Sequence, residues 1–243
     1  MIIDMADEKF PLLTTKQVWW KGIAHELIWI LSGKTDIAYL QNNKVHIWDK
    51  DAINFSGSNY VGRIYGAQWR SWTTPMQNSF DQIANLLKNL RKNPFSRKHI
   101  VTAWNPAELH LMALPPCHWA FEILPEVDPG GEISFTLKWI QRSCDVMLGI
   151  PFDIGLYAFL GRLIEKLTGY KFKTLVGDLS NVHFYGPHLP AVREQLSRAR
   201  GMPGPRFEFK SSAELDNLTI DDFQIYDYFP EPAIKAELFT KVK

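Results

Sequence analysis

Residues 154–167, Ile-Gly-Leu-Tyr-Ala-Phe-Leu-Gly-Arg-Leu-Ile-Glu-Lys-Leu, are mostly apolar at helical length. A helix that is apolar on most sides must be wrapped by other elements, so the chain has to build layers around it. The spacing of apolar residues around it supplies those layers. Residues 80–91 carry Ile83, Leu86, Leu87 and Leu90 on one helical face. Thr14-Thr15-Lys16 predicts the start of a helix running to Leu31, with Val18, Ile23, Leu27, Ile30 and Leu31 as its apolar positions and Gly33 as its stop. Residues 35–42 and 189–198 read as further helices, the latter entered near Pro190, and residues 57–66 as a loop. Residues 99–104, 119–124, 133–140 and 174–185 read as strands. The second and third are separated by the turn-forming Asp128-Pro129-Gly130-Gly131, and Val/Ile/Phe-rich pieces continue to about Tyr226. Helices and strands follow in mixed order without regular βαβ alternation. The expectation is therefore an α+β fold, with residues 1–243 forming one domain because no linker-like stretch divides them.

A net charge of +1 gives no reason to expect direct nucleic-acid binding. No apolar stretch approaches the roughly 20 residues that span a bilayer, so no membrane partner is expected. The N-terminus lacks a basic region followed by an apolar run, which points to the cytoplasm, or a host's cytoplasm if a phage encodes the chain. The two cysteines, Cys117 and Cys144, are then expected to be reduced, although their spacing alone leaves a disulfide open. The seven histidines are scattered and form no metal-binding motif, so no metal is expected.

The residues able to carry chemistry lie in a few short segments. Cys117-His118 follows Pro115-Pro116, which fix the approach of the backbone. The cysteine is either a buried inert thiol or a nucleophile whose pKa a nearby cation lowers, and His118 is either its neighbour in the chemistry or a structural histidine. Arg142-Ser143, after Gln141, combines a fork of charged donors with a hydroxyl and suits phosphate. Arg97-Lys98 is a second basic pair, which alone reads as a solvated loop. His183 and Tyr185 stand two apart, on one face of a strand, and can donate to a sugar hydroxyl or pack in the core. Glu26, among apolar residues, is either on a solvated face or a partly buried acid with a raised pKa.

Taken together, Phe10-Pro11-Leu12-Leu13-Thr14-Thr15-Lys16, His25-Glu26-Leu27-Ile28-Trp29, Ile37-Ala38-Tyr39-Leu40, Ile47-Trp48-Asp49, Tyr65-Gly66-Ala67-Gln68-Trp69-Arg70, Pro116-Cys117-His118, Gln141-Arg142-Ser143-Cys144-Asp145-Val146, His183-Phe184-Tyr185 and Ile234-Lys235-Ala236 resemble the thymidylate synthase superfamily, in its order and over nearly the whole chain. The resemblance implies a mixed sheet with helices, a homodimer formed through the sheet, and 5,10-methylenetetrahydrofolate as cosubstrate. It implies that Cys117 adds to C6 of a pyrimidine nucleotide, with Arg142 helping to activate the thiol. Glu26 would organise proton transfers, with Tyr65 near the C5 proton. Arg142 and Ser143, with Arg97 and Lys98 from the other subunit, would hold the 5′-phosphate, and His183 and Tyr185 the ribose 3′-hydroxyl. His118, Gln141, Asp145 and Asp153 would complete the nucleotide site. Lys16, Trp48, Leu114, Asp145, Leu148, Gly149 and Phe152 would line the folate site.

Several positions depart from that pattern. Asp153 replaces the asparagine that reads O4 and N3 of uracil; the deoxycytidylate hydroxymethylases of phages and the cytidylate hydroxymethylases of nucleoside-antibiotic pathways carry aspartate there. An ionised carboxylate accepts from the 4-amino group of cytosine but faces O4 of uracil as acceptor against acceptor. Asp51 stands where the family usually has a second folate-site tryptophan. Lys98 replaces an arginine, an N-terminal Arg-Thr-Gly-Thr loop is absent, and the tail Glu237-Leu238-Phe239-Thr240-Lys241-Val242-Lys243 runs on past Ile234-Lys235-Ala236. The expected reaction is 5-hydroxymethylation of dCMP or CMP, for modified phage DNA or an antibiotic; methylation of dCMP, or of dUMP to dTMP, are the other outcomes, and a non-catalytic nucleotide- or RNA-binding regulator is the reading outside enzymology.

Overall fold

The computed structural model describes residues 1–7, 9–74, 76, 78–198 and 202–239. In chain order the elements are β1 (Ile2–Asp4), α1 (Trp20–Leu31), α2 (Ala38–Asn42), α3 (Asp49–Ser56), α4 (Tyr65–Arg70), β2 (Trp72–Thr73), β3 (Ser79–Phe80), α5 (Gln82–Lys92), β4 (Ile100–Thr102), β5 (His118–Val127), β6 (Ile133–Gln141), β7 (Cys144–Asp145), α6 (Gly149–Thr168), β8 (Lys171–Leu179), β9 (Val182–His183), α7 (Leu189–Ser197), β10 (Arg206–Phe209) and β11 (Phe223–Tyr226). The fold is α+β with a mixed sheet, as the sequence leads one to expect.

The main sheet has the order β1-β8-β6-β5-β4. β5 and β6 form the hairpin expected around residues 128–131, with Val127 opposite Ile133. β6 and β8 run parallel, and a parallel pair needs a crossover, which α6 supplies. α6 is the wrapped helix anticipated above: Ile154, Leu156, Tyr157, Phe159, Leu160, Leu163 and Ile164 are all buried. α1 packs beside it, and at Gly155 a Cβ would sit only 2.8 Å from the Ile23 side chain. α5 buries Ile83, Leu86, Leu87 and Leu90, and Asp81 caps it by accepting from the Ala84 N–H.

Several boundaries differ from expectation, α6 for one starting at Gly149 rather than Ile154, and three of the differences have a clear local reason. α1 starts at Trp20 rather than at Thr14. Residues 14–18 are instead spent on tertiary hydrogen bonds: the Thr14 hydroxyl donates to Met202 O, the Val18 N–H donates to the Tyr228 hydroxyl, and the Lys16 ammonium donates to Met147 O. These outweigh a capping preference worth about 1 kcal/mol. The stretch 57–66 ends in helix, since Tyr65 and Gly66 open α4. The strand expected over 174–185 stops at Leu179, and Asn181, at a φ of 42°, turns the chain before β9. Tyr185 therefore lies beyond β9, not on one strand face with His183.

Glycine fixes where α4 can sit. A Cβ on Gly66 would lie 2.6 Å from the backbone carbonyl of Ile30 in α1, so only glycine permits that approach, and the approach places Tyr65. Gly66→Ala is expected to destabilise the protein by about 1–3 kcal/mol through overpacking, read as a lower urea midpoint at unchanged m-value; a midpoint equal to wild type would show that α4 moves at no cost.

Candidate active site

β6 and β8 end level with each other, Gln141 opposite Leu179. The chain continuing from each then pairs again, in parallel, as β7 and β9, which sets Asp145 opposite His183. The antiparallel partner of β6 begins at the same end, with His118 opposite Gln141. α6 starts just past β7, so its first turn, Gly149 to Phe152 and on to Asp153, faces this end of the sheet. A cavity of about 670 Å³ opens there, walled on its other sides by Glu26 from α1, the Trp48–Asp51 turn, Tyr65 and the tail residues Leu238 and Phe239.

Cys117 lines this cavity and is a free thiol. Its N–H donates to the Tyr65 hydroxyl at 2.9 Å, and its carbonyl accepts from the Arg142 N–H at 2.9 Å. The Arg142 guanidinium donates to the carbonyls of Pro115 and Pro116 at 2.8 and 2.9 Å and lies over the Trp104 ring. Those contacts lock the cysteine loop. Burial raises the thiol pKa; Arg142 is the cation that counters it, while Asp153 and Asp51 add to the rise.

His118 is a core histidine at the cavity's edge. Its ring stacks on Tyr65 with centroids 4.2 Å apart, and Nδ1 meets the Tyr157 hydroxyl at 2.9 Å. Burial pushes its pKa down to about 3, so the ring is neutral. Its Nε2, 3.9 Å from Asp153 Oδ1, therefore faces that carboxyl as an uncharged neighbour rather than an ion-pair partner.

Asp153 Oδ2 accepts from Gln141 Nε2 at 2.7 Å, and Gln141 is itself oriented by Trp139 Nε1, which donates to its Oε1 at 3.0 Å. Glu26 Oε1 accepts from Trp48 Nε1 at 2.9 Å. Burial pushes both carboxyls up to about 7. Each has one good donor, too little to offset the loss of water, and Glu26 raises Asp153 further by its charge. The cavity thus holds two acids able to exchange protons near neutrality, which is what general acid–base work needs.

The remaining residues singled out in the sequence divide clearly. Gln141, Arg142, Ser143, Asp145, His183 and Tyr185 line the cavity, and so do Trp48, Leu114, Leu148, Gly149 and Phe152. The rings of His183 and Tyr185 meet edge to face at 5.2 Å despite the chain turn between them. Lys16 is buried behind the wall, its ammonium turned to Met147 O. Arg97 and Lys98 are exposed and outside the cavity, on a loop that His99 pins through Asn93 O and Pro94 O. Ile47, Asn181, Leu238 and Phe239 also line the cavity, and Tyr157 and His188 support its wall. Tyr157 lies one helical turn past Asp153, a spacing that puts both on one face of α6. His188 holds the tail, its Nε2 2.7 Å from Glu237 O, and Phe239 packs on Tyr185 with centroids 4.9 Å apart. Among the described residues no cluster of metal-ligand type occurs, and no helix is long and apolar enough to cross a membrane.

A family model, thymidylate synthase, matches residues 1–240 of this chain.

The two raised carboxyls make a stability prediction. In the unfolded chain they ionise near 4.5 and 3.8, in the folded protein at about 7. Between those values the folded state holds more protons, so their contribution to stability is full at low pH and is lost as pH rises from about 4 through about 7. Urea midpoints of wild type minus those of a Glu26→Gln, Asp153→Asn double variant are expected to fall across that window; a flat difference would mean that the acids are not raised.

Proposed function

The chain belongs to the thymidylate synthase family, enzymes that transfer a one-carbon unit to C5 of a pyrimidine nucleotide with methylenetetrahydrofolate, and on that premise we propose that it 5-hydroxymethylates a cytosine nucleotide, dCMP or CMP. The observation that carries this reading is the buried Asp153 carboxyl, where the family pattern has asparagine. It lies within the cavity and is oriented by Gln141. When ionised, Asp153 accepts from the 4-amino group of cytosine. When it shares its proton, it also donates to N3. Uracil is tolerated only by the protonated form, because the ionised form sets acceptor against O4. A buried mismatch of that kind costs about 1–3 kcal/mol.

The cavity lining fits the folate in chemical character. The rings of Trp48 and Phe152, with the Leu114 and Leu148 side chains, give an apolar lining for a pteridine, and Asp145 offers a carboxylate to its N–H groups. Methylenetetrahydrofolate supplies the one-carbon unit. The protein supplies the rest. Cys117 Sγ adds to C6 of the base, which makes C5 nucleophilic. Arg142 counters the burial that otherwise keeps the thiol protonated. Glu26, with a pKa near neutrality, takes and returns protons at the base, and the buried Tyr65 phenol lies beside the reacting cysteine. Ser143 and Arg142 bind the 5′-phosphate, and His183 and Tyr185 the 3′-hydroxyl.

Arg97 and Lys98 are exposed and do not line this cavity, which suits donation to the phosphate of a partner subunit in a homodimer formed through the sheet. Hydroxymethylation is favoured over methylation by Asp51, an acid in a wall that otherwise stacks on folate, and by the extended tail. The nucleotide and folate are soluble small molecules, in keeping with an enzyme of the cytoplasm, and the product suits phage DNA modification or an antibiotic pathway.

Two variants test the reading. Asp153→Asn is expected to move the preference from dCMP toward dUMP by at least about tenfold in kcat/KM, the ratio that corresponds to 1.4 kcal/mol; an unchanged preference refutes the base-reading role. Cys117→Ala is expected to abolish turnover while equilibrium dialysis still detects dCMP binding, and surviving turnover removes the nucleophile.

A further inference from the structure

We infer that His188 is a positioning residue: its ring ties the C-terminal tail to the wall of the cavity, so that one latch serves the nucleotide and the folate together. The inference deepens the reading above and rests on its assignment of Asp145 to the folate and Tyr185 to the sugar, not on which base is read.

The tail is fixed to the body at few points. Its base is held where the Glu231 N–H donates to Thr14 O at 2.8 Å and Arg198 donates to Pro232 O at 2.6 Å. Among the described residues past Pro232, the one hydrogen bond from tail to body is at Glu237, whose carbonyl accepts from His188 Nε2 at 2.7 Å. The Glu237 carboxylate also lies 3.9 Å from the Lys50 ammonium, but both side chains are mostly exposed, and an ion pair of that kind contributes little. Leu238 and Phe239, the next two residues, line the cavity. Where they sit therefore depends on the His188 bond.

The surroundings of the ring show what it serves. His188 is 1% exposed, yet its Nδ1 has no hydrogen-bond partner, and Asp145 Oδ1 stands 3.7 Å from it. A histidine placed only to complete the core would bond through both nitrogens. The ring meets Tyr185 edge to face at 5.4 Å and Phe239 at 5.4 Å, and Phe239 packs on Tyr185 in turn. One side chain thus adjoins the carboxylate assigned to the folate, the phenol assigned to the sugar, and the tail. It does not itself line the cavity, so it acts through these neighbours.

Loss of the bond frees residues 237–239, removes part of the cavity lining and takes a packing partner from Tyr185. Both ligands are then held less firmly. Cys117, Glu26 and Asp153 take their own hydrogen bonds from Tyr65, Trp48 and Gln141, so the reacting groups keep their places. The effect belongs in KM rather than in kcat.

The experiment compares wild type, His188→Ala, His188→Gln, Phe239→Ala and the His188→Ala, Phe239→Ala double variant. Glutamine places an N–H near the Nε2 position and restores the donor. Trypsin cleavage at the exposed Lys235, followed by the mass of the fragment released, reports how often the tail lifts and needs no substrate. Cleavage is expected to be about tenfold faster in His188→Ala, the scale of one lost buried hydrogen bond, and close to wild type in His188→Gln. KM for dCMP and for methylenetetrahydrofolate is expected to rise about tenfold in His188→Ala, with kcat within about twofold, and to recover in His188→Gln. The double variant is expected to be no worse than the worse single one, because His188 acts through the tail. Unchanged cleavage or unchanged KM in His188→Ala overturns the role, and so do additive effects in the double variant. An equal fall in kcat and urea midpoint that glutamine does not restore makes His188 structural and also overturns it. Failure of the cytosine reading shows separately, as wild-type turnover of dUMP in place of dCMP; the KM comparison is then made with dUMP, and the cleavage result stands either way.

Discussion

The parallel pairing of β6 with β8 is the constraint on which the site depends. Because Gln141 and Leu179 end level, the segments that follow leave the sheet side by side and pair again, and that second pairing sets Asp145 against His183. The crossover such a pair requires is α6, whose first turn then delivers Asp153 to the Gln141 amide. Cys117 reaches the same place because β5 starts opposite Gln141. Register in one strand pair thus determines which side chains share a cavity. A one-residue slip would turn each of them to the opposite face.

Burial does most of the electrostatic work. It raises the carboxyls of Glu26 and Asp153 to about 7 and the Cys117 thiol above its ordinary value, and it keeps His118 neutral. Arg142 is the counterweight, fixed by two proline carbonyls so that its charge stays beside the cysteine loop. An arrangement with several acids near one thiol is costly until a nucleotide brings hydrogen-bond donors and displaces water. The tail lies over the same space, tied by His188 to Glu237 and by Lys50 to the Glu237 carboxylate at 3.9 Å.

Much of this was legible in the sequence, unevenly and for physical reasons. α5 and the β5–β6 hairpin follow from periodicity and turn chemistry because their burial is one-sided or alternating. The start of α1 is misjudged because Thr14, Lys16 and Val18 bond to residues far along the chain, which no local pattern records. α3 and α4 are short and rich in polar or aromatic residues, so their periodicity is weak. Cys117, Arg142, Ser143, His183, Tyr185 and Glu26 stood out by residue type and local pattern, whereas the rest of the expected lining, Trp48, Leu114, Leu148, Gly149 and Phe152 among it, came from family resemblance. Tyr157 and His188 were missed because each sits where a core or surface residue would serve equally well. Arg97 and Lys98 lie outside the cavity of a single chain, so their expected role depends on the second copy that only the family resemblance implies.

The most direct test of the cytosine reading is the mass of the nucleotide formed when the protein is given methylenetetrahydrofolate and an equimolar mixture of dCMP, CMP and dUMP. The expected product is a hydroxymethylated cytosine nucleotide, whose sugar then identifies the natural substrate. Thymidylate as the product would contradict it, since Asp153 would then read uracil as the usual asparagine does.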